Sequence, residues 1–249
     1  MKKYELTEET KTLANGTVLH RIHALRDFSL LSGHLVCAGD LGGWLETEDN
    51  LSQTGTAWVY GHAMVYENAW VCENAAVGGN AQVCGNAIVR WKAWVKDYAL
   101  VYGKARVYGD ALVCHNAQVY ENGNVCENAK VCGDARIYGN AFVYGKVFVY
   151  GNAEVSGNAE VCGNADIGCN AQVKESHDYA VFKNTWSSGR FFTYTRSNKM
   201  WKVGCFFGTG EELIAKAYKD SKLSGKCYET IVRAQEAIDT AVKEADVSI

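Results

Sequence analysis

Six histidines and ten cysteines are the side chains in this chain that could carry proton transfer or metal ligation. His20, His23 and His34 fall in the first fifty residues, His62 and His115 inside a long regular tract, and His177 just beyond it. His115, in ALVCHNAQV, stands where neighbouring segments have Gly, and Glu121 lies close enough in sequence to orient it as a general base. The plainer reading of both tract histidines, a polar residue at a solvated corner, is favoured. His115 and His62 therefore stand as weak catalytic candidates only. Six cysteines (Cys72, Cys84, Cys114, Cys126, Cys132, Cys162) share one position, directly after an aliphatic residue, where they alternate with Tyr. There is no CxxC pair and no His joins these Cys at ligand spacing, so no metal is expected. Without a secretion signal, free thiols in a reducing cytosol are expected rather than a disulfide scaffold. GTG at 208–210 could offer helix N–H groups to a phosphate. It is neither a Walker nor a dinucleotide motif, and a capped helix start accounts for it.

The elements that must position these residues repeat. Residues 135–168 read ARIYGNAFVYGKVFVYGNAEVSGNAEVCGNADIG, a six-residue unit A-x-V-x-G-N. Val or Ile returns at every sixth position from Val59 to Val173, twenty times, and the slot two residues earlier is Ala except at Gly123 and Val147. Six residues cannot make a helical repeat, and Val-Gly-Asn is poor helix. Ala-x-Val is a short strand with two side chains facing one way. Gly-Asn is a corner, since both tolerate a positive φ. Strand, corner and again is a solenoid of parallel strands. Pro is absent throughout, as suits strands that each need every N–H.

The hexapeptide period over Gly55 to about Lys174 resembles the left-handed β-helix superfamily, in which three hexads make one triangular coil of 18 residues. It implies a mainly β fold, a left-handed parallel β-helix of about seven coils, some 32 Å long at ~4.8 Å per coil. Residues 18 apart then stack, which pairs Asn68 with Asn86 and lines up Asn122, Asn140 and Asn158 for amide bonding.

Open strand edges at both ends require caps. Residues 1–54 supply an irregular one, with a hairpin at Asn15-Gly16 and the Gly-rich AGDLGGWLE; Leu35 and Leu41 fall in phase with Val59 and suggest where the coil begins. Residues 55–174 are the β-helix. Residues 175–249 read as a small α+β module plugging the other edge: two or three strands, with a turn at Arg196–Lys199, then two helices. Thr209 and Glu212 have capping-box spacing. Leu213, Ala217 and Tyr218 mark the apolar face of the first helix, and Tyr228, Ile231, Ile238 and Val242 that of the second.

MKKYELTEE with GGWLETEDNLSQTG resembles the start of the YdcK-like hexapeptide proteins, a bacterial family labelled as transferases. The MKKY…GGW opening, the VYGNA hexads and the closing GT-x-E-E helix are also similar to phage and prophage hexapeptide proteins. Neither group brings an established activity. Hexapeptide enzymes in general are mostly trimeric acyltransferases that use acetyl-CoA and a catalytic His at a groove between subunits, shaped by a loop that breaks the hexads. No hexad is broken here between 57 and 173.

The outward slot is more informative. Stacking by 18 puts Trp58, Trp94, Leu112 and Phe148 on one face, Trp70 and Phe142 on a second, and a column of Tyr102, Tyr120 and Tyr138 on the third. Large apolar residues where a monomer should be polar imply a covered surface, although aromatic ladders also favour strands by themselves. The net charge of −3 and pI near 6.1 give no basic footprint for nucleic acid, and no stretch is long and apolar enough for a membrane span. The expectation is a cytoplasmic (host-cytoplasmic, if phage-encoded) homo-oligomer, with a trimer favoured and no cofactor. It would be a non-enzymatic scaffold that binds a host protein or sequesters a small nucleotide. The alternatives are an acyltransferase using acetyl-CoA, and a structural building block.

Overall fold

The computed structural model describes residues 2–246. The hexads form twenty two-residue strands, from β6 (Trp58–Val59) to β25 (Gln172–Val173). Every third strand pairs in parallel, Trp58–Val59 on Ala76–Val77 on Trp94–Val95 and onward, so that the strands build three flat faces. The result is a parallel β-solenoid of about seven coils. The Val/Ile and Ala columns fill it, at no more than 1% exposure along the whole tract. That uninterrupted apolar column is what holds the coils together.

Each corner turns on the residue two after the aliphatic, which takes a positive φ whatever its type: Gly61 (68°), Glu67 (59°), Trp91 (61°), His115 (59°) and Glu121 (54°) among them. An L residue there costs ~1–2 kcal/mol. Several non-glycine corners return something for that strain. Glu67 accepts the N–H of Gly85 at 2.6 Å, Asp97 that of His115 at 3.1 Å, and Glu121 that of Gly139 at 2.8 Å. Each carboxylate thus serves the corner 18 residues on. Asn122, Asn140 and Asn158 bond amide to amide at 3.0 and 3.1 Å. Asn68 and Asn86, expected to do the same, form no such bond among the described residues; their corner is held by Glu67 instead.

The N-terminal cap is the expected hairpin, β1 (Tyr4–Thr12) and β2 (Val18–Ala24), followed by β3 (Phe28–Ser29), β4 (Leu35–Val36) and β5 (Leu41–Leu45). The coil does not start at Leu35 and Leu41, which are more than half exposed. Leu45 pairs with Val65, and Leu51 with Val71, so these two lead the solenoid. The corner between Leu51 and Val59 holds two extra residues, which is why the six-residue phase pointed elsewhere. The solenoid therefore begins inside the stretch read as the cap. Gly42-Gly43 is required here: a Cβ on Gly43 would lie 2.6 Å from the Ala63 carbonyl and 2.7 Å from Val59.

The C-terminal module has four strands, β26 (Tyr179–Lys183), β27 (Phe191–Thr195), β28 (Met200–Val203) and β29 (Phe206–Gly208), then α1 (Gly210–Asp220) and α2 (Lys222–Asp246). MWKVGCFF is a hairpin turning at Gly204, one strand more than expected. Thr209 and Glu212 form the capping box, which engages the Thr209 and Glu212 N–H groups at the GTG turn. Two helix faces differ from expectation. Tyr218 is 41% exposed and Ile238 51%, while Leu213, Ile214 and Ala217 on α1 and Tyr228, Val232, Gln235 and Asp239 on α2 are buried. The second stripe is partly polar because Asp239 accepts hydrogen bonds from Tyr194, Gln235 and Arg196, so hydrophobicity alone misplaced it.

The module closes the open edge with hydroxyls. The N–H groups of Glu160, Cys162, Asp166 and Gln172 donate to Ser176 Oγ, Tyr179 OH, Thr193 Oγ1 and Ser197 Oγ at 2.8–3.0 Å. All three faces are thereby capped without extending a sheet. Thr193 is 1% exposed. A Thr193→Val change keeps its shape and strands the Asp166 N–H, so a loss of about 1–3 kcal/mol in denaturant unfolding is expected. Unchanged stability would refute the hydroxyl cap.

Candidate functional site

Outward side chains on a parallel strand stand perpendicular to the sheet, and those 18 apart fall into columns. The apolar candidates therefore lie on three separate faces, and they differ in what covers them. Trp58 is withdrawn altogether. It is 2% exposed, packed edge-on by Phe28 at 5.3 Å and Tyr4 at 6.3 Å. The cap covers it, so it belongs to the core and not to a binding face. Trp70, on the second face, is 45% exposed, and Phe148, on the first, 38%. Phe142 and Leu112 are half-buried. Phe142 leans on Tyr144, and Phe148 stacks on Tyr150, both at 4.7 Å. Tyr102, Tyr120 and Tyr138 stack within 5° of parallel at 5.0 Å spacing, and Tyr138 donates to Glu154 at 3.1 Å. That column is a closed ladder that spends much of its ring surface on itself.

Trp94 floors a cleft of about 390 Å³ between the first face and the turn joining β3 to β4. Leu30, Leu31 and Ser32 form one wall, and Lys92 and Asp110 stand on the other side, 3.9 Å apart. The indole N–H is held by Tyr60 OH at 3.0 Å, so the ring is fixed in place. Trp91 was not among the candidates. It is 46% exposed at a corner, edge-on to Tyr108 at 5.4 Å, with the Arg90 guanidinium over both rings. A Trp in a slot where Gly is usual was the available signal.

His62 and His115 are exposed at corners. Glu121, expected beside His115, instead bonds Gly139. The carboxylate near His115 is Asp97, whose Oδ2 accepts the His115 backbone N–H and lies 4.0 Å from Nδ1. The imidazole Nδ1 lies 3.2 Å from Cys114 Sγ, and that sulfur lies 2.8 Å from Cys132 Sγ. The absence of a His at ligand spacing from the Cys is thus corrected: His115 directly follows Cys114, and Cys132 stands one coil length, 18 residues, after Cys114. Cys114 donates its S–H to Cys132. This bond, more than burial, pushes the Cys114 thiol up, and the same bond holds Cys132 below the usual thiol range, helped by the charges of Lys130 and Lys96.

A family model described as the YdcK Beta solenoid repeat matches residues 57–73, 105–121 and 135–150, each about one coil of this solenoid. No curated protein matches the chain. Among the described residues, no helix is long and apolar enough to cross a membrane.

Proposed function

Since the chain is a YdcK-like β-helix repeat protein whose coils run unbroken, we propose that it works as a binding scaffold and not as an enzyme. The observation that carries this is the second face, where Trp70 is 45% exposed on a flat sheet and heads a column of Ile88, Arg106, Asn124, Phe142 and Glu160. Exposed aromatic side chains set among an Arg and other polar residues on one face are what a protein interface selects. The occupant is a protein of flat surface: further copies of this chain in a trimer, or the host protein that the phage-type resemblance suggests. Native mass spectrometry of protein purified from its own cell tests this. A trimer or a hetero-complex is expected, and Trp70→Ala/Phe142→Ala should reduce it to the bare monomer. A wild-type monomer with nothing attached would overturn the proposal.

A second reading rests on the Trp94 cleft. A fixed indole with Lys92 beside it suits a planar anionic ligand such as a nucleotide, which would appear in the same spectrum as a retained small mass lost in Trp94→Ala. Acyl transfer from acetyl-CoA has less behind it, because both histidines stand on exposed corners and no loop interrupts the hexads to shape a groove.

A further inference from the structure

We infer that Cys114, Cys132 and His115 form a binding site for a thiophilic metal ion, Zn(II) in the first instance, on one corner of the solenoid. Their donor atoms all lie within 4.8 Å of one another. Sulfur and imidazole nitrogen donors around a tetrahedral Zn(II) stand about 3.5–3.8 Å apart. His115 Nδ1 and Cys114 Sγ are already at 3.2 Å. The two sulfurs, at 2.8 Å, need part by only about 1 Å, within reach of rotation about their Cα–Cβ bonds.

The placement is particular to this corner. Of the six Cys that follow the aliphatic residue of a hexad, only Cys114 and Cys132 are 18 apart. The parallel pairing of Val113 with Val131 sets them opposite each other. The next residue, His115, holds a left-handed backbone (φ 59°) that Gly would take without strain. Asp97 fixes that backbone by accepting its N–H at 3.1 Å. Cys114 is 2% exposed while His115 is exposed, so an ion would sit at the surface with two sulfurs behind it. Two thiolates and one imidazole are the donor set of a soft or borderline ion, and they leave a fourth position for water or an incoming ligand.

The test uses reduced, chelator-treated full-length protein titrated with Zn(II) against a chromophoric competitor, and separately with Co(II). One equivalent per chain is expected, with the charge-transfer and d–d absorption of tetrahedral thiolate-bound Co(II). Cys132→Ser should weaken Zn(II) binding by at least ~100-fold and Asp97→Asn by ~10-fold, while Cys72→Ser leaves it unchanged. Should the cysteine variants fail to fold, alkylation of the wild type read by mass spectrometry decides. Zn(II) should shield Cys114 and Cys132 and leave the exposed Cys37 and Cys205 reactive. No saturable binding, binding that survives Cys132→Ser, equal alkylation with and without Zn(II), or a Cys114–Cys132 disulfide whose reduction restores no binding would each overturn the site.

Discussion

Trp58→Ala is expected to cost about 3–5 kcal/mol, while Trp70→Ala at the same slot of another face costs ~0.5 kcal/mol or less. The two indoles occupy equivalent places in the repeat, so strand propensity is equal and burial decides. Trp58 is 2% exposed and Trp70 45%. Truncating Trp58 removes the surface on which Phe28 and Tyr4 rest and leaves a void between cap and solenoid that neither wall can close. Repeat arrays open piecewise, so amide hydrogen exchange is the informative readout. Protection should fall in residues 2–54 and in the first coil, with little change beyond. Equal effects of the two substitutions would mean that the cap does not rest on Trp58.

The second large effect depends on pH. Lys3 is fully buried, its Nζ donating to the Ala57 carbonyl at 2.8 Å, with the Phe28 ring at 5.8 Å. Burial first, and the Arg26 charge second, pull its pKa down from 10.5 to about 8. Between those values the unfolded chain holds a proton at Lys3 that the folded one has released, so the unfolding free energy rises with pH across this window. Below pH 8 both states are protonated and the cost of the buried charge is felt in full. Lys3 should therefore contribute a gain of about 3 kcal/mol between pH 8 and 10.5. Buried acids act in the opposite sense over the alkaline range: burial pushes Cys72 up to about 11, and Tyr108 and Tyr179 up to about 12. The measurement is accordingly the difference in stability between wild type and Lys3→Met, in which those groups cancel. The difference should move in favour of the wild type by that amount as pH rises; a flat one would show that Lys3 is not held uncharged.

Most of the solenoid could be read from the chain, because a column residue repeats its own environment every coil. The strands, the Ala and Val columns, the Asn122–Asn158 and Tyr102–Tyr138 ladders and the need for two caps all follow from that period. What escaped lay where two periods or two regions meet. Leu45 and Leu51 were hidden by a corner two residues longer than the rest. The burial of Trp58 depends on Phe28 and Tyr4, which belong to no repeat and whose approach no spacing encodes. The Cys114, His115 and Cys132 cluster was overlooked because ligands were sought at the short spacings of loops and helices, although the coil length already measured from the hexads brings them together. On α2, Ile238 was read into the apolar face but is 51% exposed, while the neighbouring Asp239 is buried. Tyr194 on β27 and Arg196 in the turn after it, both distant in sequence, hold Asp239 inside.

The corner carboxylates of Glu67, Asp97 and Glu121 each reach a partner one full coil away, whereas the buried columns look alike from one hexad to the next. The molecule therefore keeps two rulers. Its interior counts in sixes and would accept the loss of any single unit without noticing. Its exterior counts in eighteens, and the same loss would turn everything downstream by a third of a revolution, carrying Phe142 off the face of Trp70 and Cys132 away from Cys114. Folding can forgive a change of length that recognition cannot, and only steps of a whole coil preserve both.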